Sequence, residues 1–168
     1  MRGGGAGSWG VVTSATFQTF PTFDATISIV LVSTATAQQM GDVAALHAKH
    51  IFDFGSAGQY FWVQTDPTSG VLTMGTYSYF PNTSVDDAQK MLDPWLNASA
   101  EIGATVTKVQ IASVVINDAL FMENDLFGIG TNLVLGSRLM PTSVYETQPE
   151  AIGTMYAKIL GDAGLSAT

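Results

Sequence analysis

Apolar and polar positions alternate along this chain in short runs of strand length, separated by three stretches in which apolar residues recur every three or four positions. Residues 11–20 mix β-branched and aromatic side chains until Pro21 stops them, which predicts a strand ending in a turn. Residues 25–33 alternate strictly, with Ile27, Ile29 and Leu31 on one face and Thr26, Ser28 and Val30 on the other, predicting a second strand. Thr36-Ala37-Gln38-Gln39 has the spacing of a capping box, and Met40, Ala44, His47, Ile51 and Phe54 then predict a helix over 37–54, before Gly55. Two aromatic and β-branched runs, 60–65 and 71–80, flank Asp66-Pro67-Thr68-Ser69-Gly70, whose proline and glycine suit a hairpin turn. Ser84 offers an N-cap to a stripe of Val85, Ala88, Met91, Leu92, Trp95 and Leu96, with Pro94 expected to kink or divide that helix. A fifth strand follows over 105–116, and Pro149 opens a last helix with Ile152, Met155, Tyr156, Ile159 and Leu160 on one face. Strands adjacent as a hairpin, and helices that interrupt them without strict alternation, predict an α+β fold: an antiparallel sheet of about five strands with helices packed on one face.

Composition narrows the reading. The 168 residues suffice for one domain with a real core. Charged residues are only 12% of the chain against the roughly 25% usual for a soluble domain, which points to surface covered by a homo-oligomer or a complementing chain. No apolar run reaches the roughly 18 residues of a membrane-spanning helix. A net charge of −8 repels phosphate backbones and argues against nucleic acid as a partner. The chain has no cysteine, and hence no disulfide or thiolate chemistry. Asn82-Thr83-Ser84 and Asn97-Ala98-Ser99 fit the glycosylation acceptor pattern, which matters only in a secreted protein.

Glycines at 3, 4, 5, 7 and 10 precede Val11-Val12-Thr13, so the backbone there can turn sharply and approach a ligand closely. The segment Arg2-Gly3-Gly4-Gly5-Ala6-Gly7-Ser8-Trp9-Gly10-Val11-Val12-Thr13, continued by Phe17-Gln18-Thr19-Phe20-Pro21, resembles the glycine-rich segment of berberine-bridge-like, FAD-linked oxidoreductases of the vanillyl-alcohol-oxidase superfamily. Gly136-Ser137-Arg138-Leu139-Met140-Pro141 is similar, less specifically, to part of that family's substrate domain. Ala6 stands where the family often has glycine, and Thr142 where a basic residue is frequent. The resemblance implies that residues 1–22 correspond to the end of an FAD-binding domain, and 23–168 to a partial substrate-binding domain. It also implies FAD as cofactor, contacted by Gly3, Gly4, Gly5, Gly7, Gly10 and Val11, and oxidation of a small secondary-metabolite-like substrate by hydride transfer. The family carries its pyrophosphate-binding domain upstream of the matched segment, so this chain alone is not expected to retain FAD.

Candidate chemistry lies on the predicted sheet face that the family turns toward the flavin. Tyr60, Trp62 and Gln64 share a face of one strand, as do Thr73, Tyr77 and Tyr79 of the next. Ring surfaces with hydroxyl and amide tips suit a flat small-molecule substrate, with Tyr77 or Tyr79 as proton donor or acceptor. Ordinary cross-strand aromatic pairing produces the same pattern. Arg138 is a candidate for a substrate carboxylate or for a structural hydrogen bond. His47, His50 and Asp53 have helical spacing for a metal, yet His47 falls in the apolar stripe, and no metal is expected. Two other readings stay open: a flavin-free cyclase that positions its substrate on the aromatic face, and a noncatalytic chain that covers its sheet with a partner.

Overall fold

The computed structural model describes residues 10, 11, 13–116 and 139–162. In order these form β1 (Asp24–Thr34), α1 (Ala37–His50) with a 3-10 turn (Ile51–Phe54), β2 (Gly58–Thr65), β3 (Leu72–Pro81), α2 (Val85–Glu101), β4 (Thr105–Val115), α3 (Thr142–Thr147) and α4 (Pro149–Gly161). The strands make one antiparallel sheet in the order β2-β3-β1-β4, the split β-α-β-β-α-β arrangement. The α+β class and the antiparallel sheet hold, but the described residues contain four strands and not five. The missing one is the run over 11–20, whose described residues carry no strand. Phe17 and Phe20 are 80% and 81% exposed, so this run has strand composition and, among the described residues, no neighbouring strand to pair with.

Local signals explain most boundaries. Thr36 accepts the Gln39 N–H at 3.1 Å, and Gln39 reaches back to the Ala35 N–H at 3.4 Å, so the capping spacing is used as read, one residue early on the return. Ser84 caps α2 through the Asp87 N–H at 3.1 Å. That helix runs on through Pro94 undivided. Pro94 is exposed, so water can take the Lys90 carbonyl that its missing N–H leaves free. Asp66 accepts the Thr68 and Ser69 N–H groups, both at 2.8 Å, and Gly70 takes φ +72°, which closes the hairpin and sets Thr65 opposite Leu72. The first acceptor site lies on a turn where exposed Asn82 has φ +49°; the second lies in α2, where Ser99 is buried and bonded to the Trp95 carbonyl.

Helices cover one face of the sheet. Val30, Val32, Val63, Met74 and Phe80 point into that layer and meet Met40, Val43 and Ala44 of α1 and Leu92, Trp95 and Leu96 of α2. Thr26 and Ser28 also face the helices, so the covered side of β1 is the face with hydroxyls, and Ile27, Ile29 and Leu31 lie half-buried on the other. Helix α4 packs along α1 so closely that Gly41 and Gly153 abut: a Cβ on Gly41 would stand 2.6 Å from the Gly153 carbonyl oxygen. Ala45 and Ala157 follow each glycine by one turn and keep the seam narrow. At its far side α4 reaches β2, where Tyr156 and Phe61 lie 6.0 Å apart, and burial pushes the Tyr156 phenol up to about 12. None of the described helices is long and apolar enough to cross a membrane.

Candidate functional site

The face of the hairpin that no described helix covers carries three aromatic rings in a row. Register places Tyr60 opposite Tyr77, Trp62 opposite Gly75 and Gln64 opposite Thr73. Because side chains alternate along a strand, Tyr60, Trp62 and Gln64 stand on the side away from the helices while Phe61 and Val63 enter the core. Trp62 stacks on Tyr60 at 5.8 Å and 25°, and leans over Tyr77 at 5.7 Å and 30°. Together with Gln64 these rings line an open concavity of about 510 Å³. Tyr60 is 58% and Tyr77 37% exposed. Tyr79 shares the face, opposite Gly58, but stands outside the concavity.

Gly75 makes the ladder possible. A Cβ there would run into the Trp62 indole, so the ring lies flat across bare β3 backbone. Gly75→Ala should swing Trp62 off the sheet and cost about 1 to 3 kcal/mol. Loss of the near-UV circular dichroism of the coupled rings would show it, and an unchanged spectrum would count against the seat.

Behind the rings, on the covered side, lies a polar thread in which buried His47 and Ser78 meet half-buried Gln59. His47 of α1 bonds the Gln59 side-chain carbonyl, and the Gln59 amide donates to the Ser78 hydroxyl at 2.8 Å. With its amide turned toward Ser78, Gln59 presents an acceptor to His47, which therefore carries its proton on Nε2. His47 packs between Phe54, Phe61 and Trp95, with ring centres 5.0 to 5.7 Å away. Desolvation drives its pKa down from 6.5 to about 4, against the Gln59 bond that favours the charged form; the neighbouring His50 adds to the lowering.

The other candidates fare unequally. Gly10 takes φ +142° in an exposed stretch, Val11 beside it is 91% exposed, and neither packs on the sheet face. Gly3, Gly4, Gly5, Gly7 and Arg138 lie outside the described residues. His47 and His50 do not converge on a metal: His47 is bonded to Gln59, and His50 pairs with Asp53 at 2.7 Å. Among the described residues no group of three or more His, Asp or Glu side chains is placed to hold one. Sequence reading missed Gly75 and the His47–Gln59–Ser78 thread. A tryptophan facing a glycine across the predicted hairpin was the available signal for the first.

No family model matches the chain. It is 31% identical over 140 residues to the FAD-linked oxidoreductase easE of Epichloe festucae var. lolii, an alignment spanning 78% of this chain and 23% of that protein. The chain is related to FAD-linked oxidoreductases. Its fold is shared with the VAO-type flavoprotein MtVAO615 of Myceliophthora thermophila C1, at a TM-score of 0.53 and 15% identity. That match covers 82% of this chain and 26% of the flavoprotein, so the chain spans about a quarter of each relative. The antiparallel sheet with one helix-covered face is thus an architecture that this flavoprotein contains, and FAD is the cofactor named for the Epichloe relative.

The described face can be tested against FAD directly. Trp62 flat over Gly75, flanked by Tyr60 and Tyr77, offers a ring-sized apolar platform with amide and hydroxyl tips, which fits a flat conjugated ring. Among the described residues it offers no cation for a pyrophosphate: Lys108 faces the helices and bonds Asp93 at 3.0 Å.

Proposed function

We propose that this chain forms the substrate-facing wall of an FAD-linked oxidoreductase that oxidises a small, flat, secondary-metabolite-like molecule by hydride transfer to flavin. The observation that carries this reading is the aromatic ladder of Tyr60, Trp62 and Tyr77 on the sheet face that no described helix covers. Tyr60 and Trp62 hold the substrate ring by stacking, and the Gln64 amide orients its polar edge. In its phenolate form Tyr77, at the concavity, takes up the proton that the substrate loses as the hydride leaves, with Tyr79 two residues further along β3 as a second phenol. FAD, when bound, supplies the redox step. Gly3, Gly4, Gly5, Gly7, Gly10 and Val11 give the close backbone approach to the cofactor, and Arg138 takes a substrate carboxylate. The flavin-free cyclase reading needs an enclosed pocket, whereas this concavity is open at Tyr60.

Grafting the chain into the Epichloe enzyme in place of its aligned segment tests the reading. The chimera should retain FAD, seen as visible absorbance, and Tyr77→Phe should slow flavin reduction by that enzyme's substrate about 10²-fold at unchanged flavin content. A colourless chimera would sink the proposal. Full-rate reduction in Tyr77→Phe would remove Tyr77 from the proton transfer.

A further inference from the structure

Strand β2 carries two of the three ladder rings, Tyr60 and Trp62, and among the described residues lies at the sheet edge, paired with β3 alone. Its sequence, Gly58-Gln59-Tyr60-Phe61-Trp62-Val63-Gln64-Thr65, is apolar on both faces. Tyr60 and Trp62 would serve as core almost as well as Phe61 and Val63, so hydrophobic alternation does not say which pair goes inside. A slip of one residue would exchange them. The Asp66 turn fixes the register at the Thr65 end, but Gln59 lies six residues away, near the free end of the strand.

The covered side of that free end is polar at a cost. Gln59 and Ser78 are register partners bonded to each other, directly behind the neighbouring pair Tyr60 and Tyr77. Ser78 in turn faces Ser28 on β1, whose fully buried hydroxyl has no partner among the described residues, and neither has the Trp95 indole N–H beside His47. Apolar side chains in these places would avoid the desolvation of His47 and the orphaned hydroxyl, so the thread is a poor device for stability. It is a good device for choosing one register, since only Gln59 turned inward satisfies both His47 and Ser78.

We infer that His47, Gln59 and Ser78 are positioning residues, which hold the free end of β2 in the one register that presents Tyr60 and Trp62 on the open face. The inference deepens the proposed function and rests on it for the purpose of the ladder, not for the existence of the restraint. Hydrogen exchange on the chain itself provides the test, with the Gly75 seat left intact. Gln59→Leu and His47→Leu should speed exchange of the β2 amides at least 10-fold more than those of β1, and weaken the near-UV dichroism of the rings. His47→Gln, which keeps a donor toward Gln59, should restore both. Equal loss of protection in β1 and β2 would reduce the thread to ordinary stability and overturn the inference, as would unchanged β2 exchange. These readouts need no flavin, so a chimera that fails to hold FAD leaves them standing, and their failure leaves the oxidoreductase reading to its own test.

Discussion

Gly41→Val and Gly153→Val are each expected to destabilise the fold by about 3 kcal/mol, the upper range for forcing extra atoms into a closed seam. Each glycine faces the other across α1 and α4, and a Cβ on Gly153 would lie 2.5 Å from the Gly41 carbonyl oxygen and 2.8 Å from the Ala45 methyl. Backbone cannot rotate aside as a side chain does, so the helices must separate, and Ile152, Tyr156 and Leu160 would lose contact with the core. Gly161, in the same helix, is the control. Among the described residues a Cβ there meets only the Ala37 methyl at 4.0 Å, an ordinary contact. Gly161→Ala should therefore be neutral or stabilising by about 0.5 kcal/mol, through lower entropy of the unfolded chain. Urea titration of the variants checks the pair. Equal effects at 41 and 161 would mean that the seam is not closed.

The second large effect is in the pH dependence of stability. His47 is neutral in the fold down to about pH 4, whereas in the unfolded chain it titrates near 6.5. Between those values the unfolded state binds the extra proton, so stability falls as pH falls, by up to about 1.4 kcal/mol per pH unit and about 3 kcal/mol in total. Above pH 6.5 both states leave the imidazole neutral and the contribution is complete; below about 4 both bind the proton and the loss stops growing. Hydrogen bonds hold the carboxyls of Asp66, Asp87 and Asp93 below their ordinary value of 3.8, so their stabilising contributions fade chiefly beneath this window. Urea midpoints from pH 7.5 to 4, compared between the wild type and His47→Gln, isolate the histidine. The variant should lose most of the slope, and parallel curves would show that His47 is solvated in the fold.

Much of the fold is legible in the chain because local rules decide it. Thr36 and Ser84 mark helix starts by capping chemistry, Asp66 and Gly70 mark the hairpin, and alternation places Tyr60, Trp62 and Tyr77 on one face. The run over 11–20 obeys the same local rules, yet its described residues make no strand, because strand formation needs a neighbour and propensity does not supply one. The small residues at Gly41, Ala45, Gly153 and Ala157 have helical spacing, but nothing local says that these two helices face each other.

By itself, then, the sequence determined the identity of the elements, the aromatic character of one hairpin face and the kinship with FAD-linked oxidoreductases, all of which depend on residues near one another in the chain. Tertiary structure alone decided that Trp62 lies over Gly75, that the hydroxyl-bearing side of β1 is the covered one, and that His47 reaches Gln59 and Ser78. Those facts arise from packing between distant segments, where side-chain volume and the need to satisfy buried polar groups outweigh local pattern.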